Sequence, residues 1–254
     1  MSPFSIVIVA KNAENKIGRL LSSLKGLTDD VVVVDTGSSD STVSIVEKEG
    51  IKVHHLPWKG YGKSKNDAIG FAKYDWILSL DSDEKIDGEL YTQLKEWKPG
   101  QETTVHQVLW KNYFGDQWIR HSDWGSSWKK RLFNKHVVKW DDAIAHEDLT
   151  SDQPLQFVKF NGYLDHYTFT DSREYAFKMI NSAMITAEKY HQMGKKAGSL
   201  KLILAPAYSF VKTYFLKLGF LDGYKGWLIA KTTAYYTFIK YARLKELNAI
   251  GRIN

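Results

Sequence analysis

Cysteine is absent from this chain of 254 residues, and proline occurs at only 5 positions. Without cysteine there can be no disulfide bond, no thiolate zinc site and no cysteine nucleophile. Long apolar runs are also absent, because the longest relevant one, residues 202–211, falls short of the ~18 residues that a membrane span needs. The first residues, MSPFSIVIVAKN, lack a basic leader and a small-residue cleavage site. We therefore expect no signal peptide and a cytoplasmic location.

Charge is distributed unevenly along the chain. Residues 173–254 contain 14 Lys and Arg against 4 Asp and Glu, whereas residues 1–172 carry a net charge of −4. A basic segment is either a solvated helical surface or a surface attracted to anions, such as nucleic acid or the cytoplasmic face of a membrane. With 43% hydrophobic residues, the chain as a whole is typical of a globular protein with a sizeable core.

Short β-branched runs alternate with segments of helical spacing over the first hundred residues. The run FSIVIVA and the run VVVV are typical of strands buried on both faces, and the spacing Ile17, Leu20, Leu21, Leu24 is one stripe of a helix. This rhythm predicts an α/β fold with a parallel sheet wrapped by helices. The predicted strands are residues 4–10, 31–34, 51–56 and 76–80, and the predicted helices are 15–27, 63–71 and one beginning at 43.

Polar side chains follow the predicted strands, where parallel sheets bind their ligands. Asp35 ends the second strand, and Asp81, Asp83 and Glu84 follow the fourth. Three acidic groups this close repel each other unless a cation lies among them. Carboxylate oxygens suit Mg²⁺ or Mn²⁺, which usually share their coordination shell with substrate phosphates. The sequence therefore predicts a metal and a nucleotide at this edge.

Taken together, these segments resemble the family 2 glycosyltransferases, which have the GT-A fold. The resemblance is carried by residues 4–12, by VVVVDTGSSDST at 31–42, by GKSKNDA at 62–68 and by LSLDSDE at 78–84, in the family's order and spacing. It implies a GT-A catalytic domain over residues 1–171, with a Rossmann-like, mostly parallel sheet and flanking helices. It also implies a metal-dependent, inverting transfer of a hexose from a nucleotide diphosphate sugar, with UDP-glucose as our guess.

The same resemblance implies roles for particular residues. Asp35 would contact the base or ribose, Asp81 would lie near the ribose or the sugar, and Asp83 would hold the metal at the diphosphate. A later His in the family reaches the metal or diphosphate, and His166 matches it. The implied nucleotide-sugar-binding residues are Ala10, Asn12, Asp35, Lys65, Asn66, Asp81 and Arg131, and the implied metal ligands are Asp83 and His166.

Residues 110–148 combine an aromatic-rich stretch with candidate acids. The order of tryptophans, then RLF at 131–133, then the pair His146-Glu147 resembles the branch of the family that builds bacterial lipopolysaccharide core. An inverting transfer needs a carboxylate that takes the proton of the acceptor hydroxyl. Glu147 is our first choice by its place in the pair, and Asp148 is the alternative.

Acceptor binding is also expected from this stretch, because aromatic faces stack on sugar rings. Trp residues at 110, 118, 124, 128 and 140 are interleaved with basic side chains, although core packing explains many tryptophans equally well. The predicted acceptor-binding residues are Trp124, Trp128 and His121.

The C-terminal part, residues 172–254, is predicted to be a helical appendage. Aromatic and basic residues are mixed through it without a spanning length, which is typical of helices that lie in the bilayer interface. A helical lid packed on the catalytic domain is the other interpretation. We expect a UDP-sugar donor, a lipid-linked glycan acceptor such as lipopolysaccharide or lipooligosaccharide core, and a peripheral position on the inner face of the cytoplasmic membrane.

Two other functions are compatible with parts of the sequence. A nucleotidyl- or phosphotransferase could use the same acidic cluster, although the chain has no Gly-x-x-x-x-Gly-Lys loop. A non-enzymatic nucleic-acid binder could use the basic, aromatic C-terminal part. It would leave Asp81 and Asp83 unexplained, and the acidic first part would repel phosphate chains, so we expect no nucleic-acid partner.

Overall fold

The computed structural model describes residues 3–141 and 147–250, and this part of the chain divides into two compact units. The first unit comprises the residues up to 111 together with residues 127–166. The second comprises residues 112–126 and those from 167 onward. This division differs from our single boundary after residue 171 by one internal segment and a few residues. The assignment of a catalytic domain and an appendage remains a prediction.

The parallel half of the main sheet consists of the strands predicted from the β-branched runs. Ile6 and Ile8 of the first strand face one hydrophobic core and Val7 faces another, because successive side chains in a strand point to opposite sides. Both faces are therefore buried, as a parallel sheet requires. In spatial order these strands are β3 (Val53–His55), β2 (Val31–Asp35), β1 (Ser5–Ala10) and β4 (Trp76–Asp81).

Helices follow these strands as predicted. The first is amphipathic, and its stripe Ile17, Leu20, Leu21 and Leu24 is buried against the sheet. Burial of each such side chain contributes about 1.5–3 kcal/mol to the hydrophobic stabilisation of the unit. The helices of this unit are α1 (Ile17–Leu24), α2 (Thr42–Lys48), α3 (Tyr61–Ile69) and α4 (Gly88–Glu96).

Antiparallel strands extend the sheet beyond β4. Strand β8 (Ser127–Asn134) pairs with β4, and β6 (Thr104–Phe114), β11 (Gln156–Phe169) and β5 (Glu84–Ile86) follow in that order. These strands bring residues distant in sequence to the end of β4. The predicted α/β sheet with flanking helices and C-terminal helices is confirmed. Shorter strands are β7 (Gln117–Trp118), β9 (Lys139–Trp140) and β10 (Leu149–Thr150).

Three long helices dominate the described part of the second unit: α5 (Ser172–Gln192), α6 (Ser199–Val211) and α7 (Gly223–Ile250). The core of this unit includes Phe114, Phe169 and Ile229, packed around the buried ring of Tyr175. The start of α7 requires glycine at 226, since a Cβ there would lie 1.8 Å from the carbonyl oxygen of Gly219. Among the described helices, none combines the length and the hydropathy of a membrane span.

Candidate active site

The carboxyl ends of β1, β2 and β4 lie side by side. Ala10 pairs with Asp35, and Val9 pairs with Asp81, so three strand ends meet at one edge of the sheet. The predicted donor-binding residues Ala10, Asp35 and Asp81 are therefore neighbours in space. Adjacent parallel strands make this arrangement unavoidable once their registers are set.

Asp35 shapes the loop that follows β2. Its buried carboxylate accepts hydrogen bonds from the backbone N–H groups of Gly37 and Ser38, at 3.0 and 3.1 Å. Burial alone would raise the pKa of Asp35, but the bonds from Ser38 and Gly37 outweigh it and hold the pKa below its ordinary value. The group is therefore ionised at neutral pH.

Asn12 joins the end of β1 to the same loop. Its backbone has a left-handed φ of 50°, its N–H donates to the hydroxyl of Ser38 at 2.9 Å, and its Oδ1 accepts from the N–H of Ser39 at 2.8 Å. The carbonyl of Ala10 accepts the backbone N–H of Thr36. Ala10 and Asn12 thus fix the loop after β2 through backbone and amide contacts.

Asp81 lies between two side-chain cations. Its Oδ1 is 2.9 Å from the Nζ of Lys65, and its Oδ2 is 2.8 Å from an Nη of Arg131. Burial would raise the pKa of Asp81, but the charges of Lys65 and Arg131 outweigh it and lower the pKa well below the usual range. Asp81 is an acceptor of hydrogen bonds at every physiological pH.

Glu84 contacts both Asp81 and Arg131. It is buried, accepts the guanidinium of Arg131 at 2.6 Å, and takes the backbone N–H of Asp81 at 2.9 Å on its other oxygen. The indole N–H of Trp110 also donates to it. We expected a cation among Asp81, Asp83 and Glu84. Lys65 and Arg131 supply positive charge to Asp81 and Glu84. The pairing of Arg131 with Glu84 was not predicted from the sequence, because the two residues are 47 positions apart.

Asp83 and His166 form the remaining part of the acidic cluster. The Oδ1 of Asp83 lies 3.4 Å from the Nε2 of His166, whose ring stacks on Trp110 at 3.9 Å. Burial would raise the pKa of Asp83, but His166 outweighs it and the pKa is lowered. Adjacent ligand atoms around an octahedral Mg²⁺ or Mn²⁺ are about 3 Å apart, so these two atoms fit neighbouring positions on one ion.

A metal held there would have few protein ligands. Within residues 3–141 and 147–250, no group of three or more His, Asp or Glu could hold an ion. Two ligands leave the other positions to water and phosphate oxygens, which is the usual arrangement for Mg²⁺ beside a substrate phosphate.

The two candidate bases differ in their surroundings. Glu147 has a side chain that is 14% exposed, and its Oε1 is 2.7 Å from Lys65, the lysine that also holds Asp81. Asp148 is 63% exposed and pairs with Lys130 at 2.7 Å. Glu147 therefore belongs to the acidic cluster and Asp148 lies outside it. His146, its partner in the sequence motif, lies outside the described residues.

Asn66 and Trp140 hold the wall behind Lys65. The amide of Asn66 donates to the carbonyl of Trp140 at 2.9 Å and accepts its backbone N–H at 3.0 Å. The Nζ of Lys65 lies 4.5 Å from the centre of the Trp140 ring. The side chain of Asn66 is thus used to fix strand β9, next to the predicted donor site.

The predicted acceptor residues fall in both units. In the first, Trp128 is 39% exposed and the Nζ of Lys159 lies 4.5 Å from its ring centre. In the second, Trp124 packs among the rings of Phe114, Phe169 and Tyr175. His121 is 3.2 Å from Asp222. Trp128 has an exposed face that a sugar could cover, whereas Trp124 and His121 already serve the packing of their own unit.

Comparison with known proteins gives a match to the family model described as Glycosyl transferase family 2, over residues 5–151. An uncharacterized glycosyltransferase of Rickettsia typhi is 29% identical, over 99% of this chain and 90% of the relative. The lipopolysaccharide core biosynthesis glycosyltransferase LpsC of Rhizobium meliloti is 25% identical, over 98% and 94%. The crystal structure of S. aureus TarS 1-349 matches 99% of this chain and 92% of its own, at 17% identity and a TM-score of 0.41.

Proposed function

Because the chain belongs to glycosyl transferase family 2, we propose that it is a metal-dependent, inverting glycosyltransferase that uses a nucleotide diphosphate sugar. The observation that carries this proposal is the contact of Lys65 with both Asp81 and Glu147, at 2.9 and 2.7 Å. It joins a strand-end aspartate on the donor side to a candidate base in one cluster. UDP-glucose is the donor that we would test first.

The donor would lie along the carboxyl ends of the parallel strands. The loop fixed by Asn12 and Asp35 would receive the nucleoside, with Ala10 at its base. Asp81, oriented by Lys65 and by Arg131, would bind the ribose or the sugar through its accepting oxygens. Asn66 would shape the site through Trp140.

Asp83 and His166 would hold the divalent cation, Mg²⁺ or Mn²⁺. The carboxylate oxygen and imidazole nitrogen suit either ion, and their 3.4 Å separation fits adjacent ligand positions. When bound, such an ion neutralises the charge of a diphosphate.

Glu147 would act as the general base. It would take the proton of the acceptor hydroxyl as the hydroxyl oxygen forms its bond to the anomeric carbon. The bond from that carbon to the diphosphate breaks on the opposite face, so the nucleoside diphosphate leaves with the electron pair and the configuration inverts. Lys65 would hold Glu147 in place for this step. Asp148 is the alternative, but its exposure and its pairing with Lys130 favour Glu147.

The acceptor would be a lipid-linked glycan of the lipopolysaccharide or lipooligosaccharide core type. This choice is supported by the likeness to LpsC, which is named for lipopolysaccharide core biosynthesis. Trp128 offers an exposed aromatic face in the first unit, with Lys159 beside it for an anionic substituent. Trp124 and His121 would then contribute by fixing the segment that carries them.

The second unit would bind the inner face of the cytoplasmic membrane, where such an acceptor is anchored. No acidic residue occurs between Glu188 and Asp222, whereas that interval contains six lysines. Many of its large apolar side chains are exposed, so that apolar contact and positive charge coincide, as in interfacial helices. The exposed apolar residues of this segment are Met193, Leu200, Ile203, Leu204, Tyr208, Val211, Phe215, Leu216, Leu218, Phe220 and Leu221.

Thermal unfolding with a panel of nucleotide sugars, each with and without Mn²⁺, tests the donor proposal. We expect one nucleotide sugar to raise the Tm only when metal is present, because a ligand that binds the native state stabilises it. NMR of the product should then show an anomeric configuration opposite to that of the donor. A product that retains the donor's configuration would contradict the single-displacement chemistry proposed for Glu147.

Sedimentation with lipid vesicles tests the membrane proposal. The chain should sediment with vesicles containing anionic lipid and remain in solution with neutral vesicles. Exchange of Leu200 and Ile203 for Ser should weaken this binding, whereas the same exchange of Phe157 in the first unit should not. Equal binding to both vesicle types would contradict the role of the lysines.

A further inference from the structure

Strand β8 presents alternate side chains to two different environments. Lys129 and Arg131 lie over the ring of Trp110, with the Nζ of Lys129 4.2 Å and the guanidinium carbon of Arg131 5.2 Å from its centre. Lys130 lies on the other side, where it pairs with Asp148. Because Lys129 shares the ring of Trp110 with Arg131, and Trp110 bonds to Glu84, Lys129 lies beside the acidic cluster.

The two other cations beside the acidic cluster, Lys65 and Arg131, already form ion pairs. Lys65 is shared by Asp81 and Glu147, and Arg131 is shared by Asp81 and Glu84. Three ion-paired carboxylates thus surround two buried cations. The charge of each of these two cations is therefore already balanced by carboxylates.

Lys129 differs from them in having no carboxylate partner. Among the described residues, no Asp or Glu oxygen lies within ion-pair distance of its Nζ, and its contact is the face of Trp110. The side chain is half-buried, and burial, with the charge of Arg131 nearby, lowers its pKa. The charges of Asp81, Glu84 and Glu147 oppose this lowering of the pKa, but none of these carboxylates is in ion-pair contact with Lys129, so its N–H donors are available to an added anion.

We propose that Lys129 binds the diphosphate of the nucleotide-sugar donor. This inference rests on the proposed function, which puts the donor beside Asp81 and Asp83. Trp110 connects the two sides of this site, because β6 lies between β8 and β11 and His166 of β11 stacks on the same ring. Lys129 supplies a compact positive charge for phosphate oxygens, and the charge that develops there as the sugar leaves is stabilised by the same contact.

Titration calorimetry of UDP and of uridine, both with Mn²⁺, tests the assignment. Lys129→Met should weaken UDP binding by about 10- to 100-fold, the loss expected for a charge-assisted bond, and leave uridine binding unchanged. Lys129→Arg should recover most of the UDP affinity, since a cation remains. Lys130→Met, the neighbouring control on the other side of the strand, should bind both ligands like the parent chain.

Other results would overturn the assignment in distinguishable ways. An equal loss for UDP and uridine would make Lys129 a packing residue. A higher KM for the acceptor with unchanged UDP affinity would assign the ammonium to an anionic group of the acceptor. Failure of the unaltered chain to bind UDP would overturn the proposed donor itself, and the Lys129 assignment with it. Matching unfolding temperatures for all variants would exclude misfolding as the cause of any loss.

Discussion

Two aspartates, one in each unit, use their charge in different ways. Asp81 of the first unit is paired with the cations of Lys65 and Arg131, and its side chain is 30% exposed. Asp222 of the second unit is 4% exposed and accepts hydrogen bonds from the backbone N–H groups of Arg120 and His121, at 3.1 and 2.9 Å. One carboxylate is held by charges, and the other is held mainly by neutral donors.

This difference distinguishes Asp81, whose carboxylate is available for chemistry, from Asp222, whose hydrogen bonds serve the fold. Backbone N–H groups cannot move without changing the fold, so the role of Asp222 is to fix the turn before α7 to the segment after β7. Side-chain cations can be redistributed when a charged ligand arrives. The region around Asp81 is therefore the one in which substitution should affect turnover more than stability.

The largest effect on turnover is expected at Asp83, which lies in the region of Asp81 but pairs with His166. Asp83→Ala should reduce kcat/KM by about 1000-fold or more, because it removes a proposed metal ligand at the diphosphate. Steady-state assays over a range of Mn²⁺ concentrations measure this loss. Asp152→Ala, an exposed aspartate outside the site, is the matched control. Full activity of Asp83→Ala would refute the metal site.

Glu147 and its neighbour Asp148 provide the next test, within the first unit alone. Glu147→Gln should lower kcat by about 100-fold or more, the usual range for loss of a general base, with little change in donor KM. Asp148→Asn should stay within about threefold of the parent, because its carboxylate is exposed and pairs with Lys130. A larger loss in Asp148→Asn than in Glu147→Gln would reverse the assignment.

Asp222→Asn tests the other half of the comparison. The amide would present an N–H₂ group to one of two backbone donors, so a charge-assisted bond is lost and a buried donor is left unpaired. We expect the free energy of unfolding to fall by about 3 kcal/mol. Urea denaturation measures this change. Donor affinity should be unaffected, and a selective loss of donor affinity without a change in stability would show that Asp222 is more than a structural group.

Local features of the fold were predictable from the sequence, and so was the family. The runs that form β1, β2 and β4 and the stripe of α1 depend on residue spacing alone, and the structure confirms them. The family 2 membership and the glycosyltransferase activity inferred from four short motifs are likewise confirmed by the family model and the named relatives.

The partners within the site were not predictable. Lys65 and Glu147 are 82 residues apart, and their contact depends on how strands β8 to β11 extend the sheet past β4. No spacing rule in the sequence contains that information. The same limit applies to the contacts of Asn12 and Asn66, which hold a loop and a strand, while their binding of the donor remains a prediction.

His106 of β6 extends the comparison to a half-buried group that is uncharged at neutral pH. Its Nε2 accepts the indole N–H of Trp97 at 3.1 Å, and its ring stacks on Phe160 at 4.6 Å. Burial lowers the pKa of His106 from 6.5 to about 4. Between these two values the unfolded chain binds a proton that the folded chain does not, so stability should fall as pH decreases.

The expected loss from His106 is about 2 kcal/mol between pH 7 and pH 5, because each pKa unit corresponds to about 1.4 kcal/mol. Denaturant unfolding at intervals of pH measures it. His106→Gln can keep the acceptor for Trp97 and cannot titrate. The fall in the free energy of unfolding between pH 7 and pH 5 should therefore be smaller in this variant by about 2 kcal/mol. The control is His136→Gln. The side chain of His136 is 61% exposed beside Asp75, so this variant should show the same dependence of unfolding free energy on pH as the parent. If both variants keep the parent's pH dependence, the acid sensitivity of the fold originates in the carboxylates and not in the burial of a neutral His106.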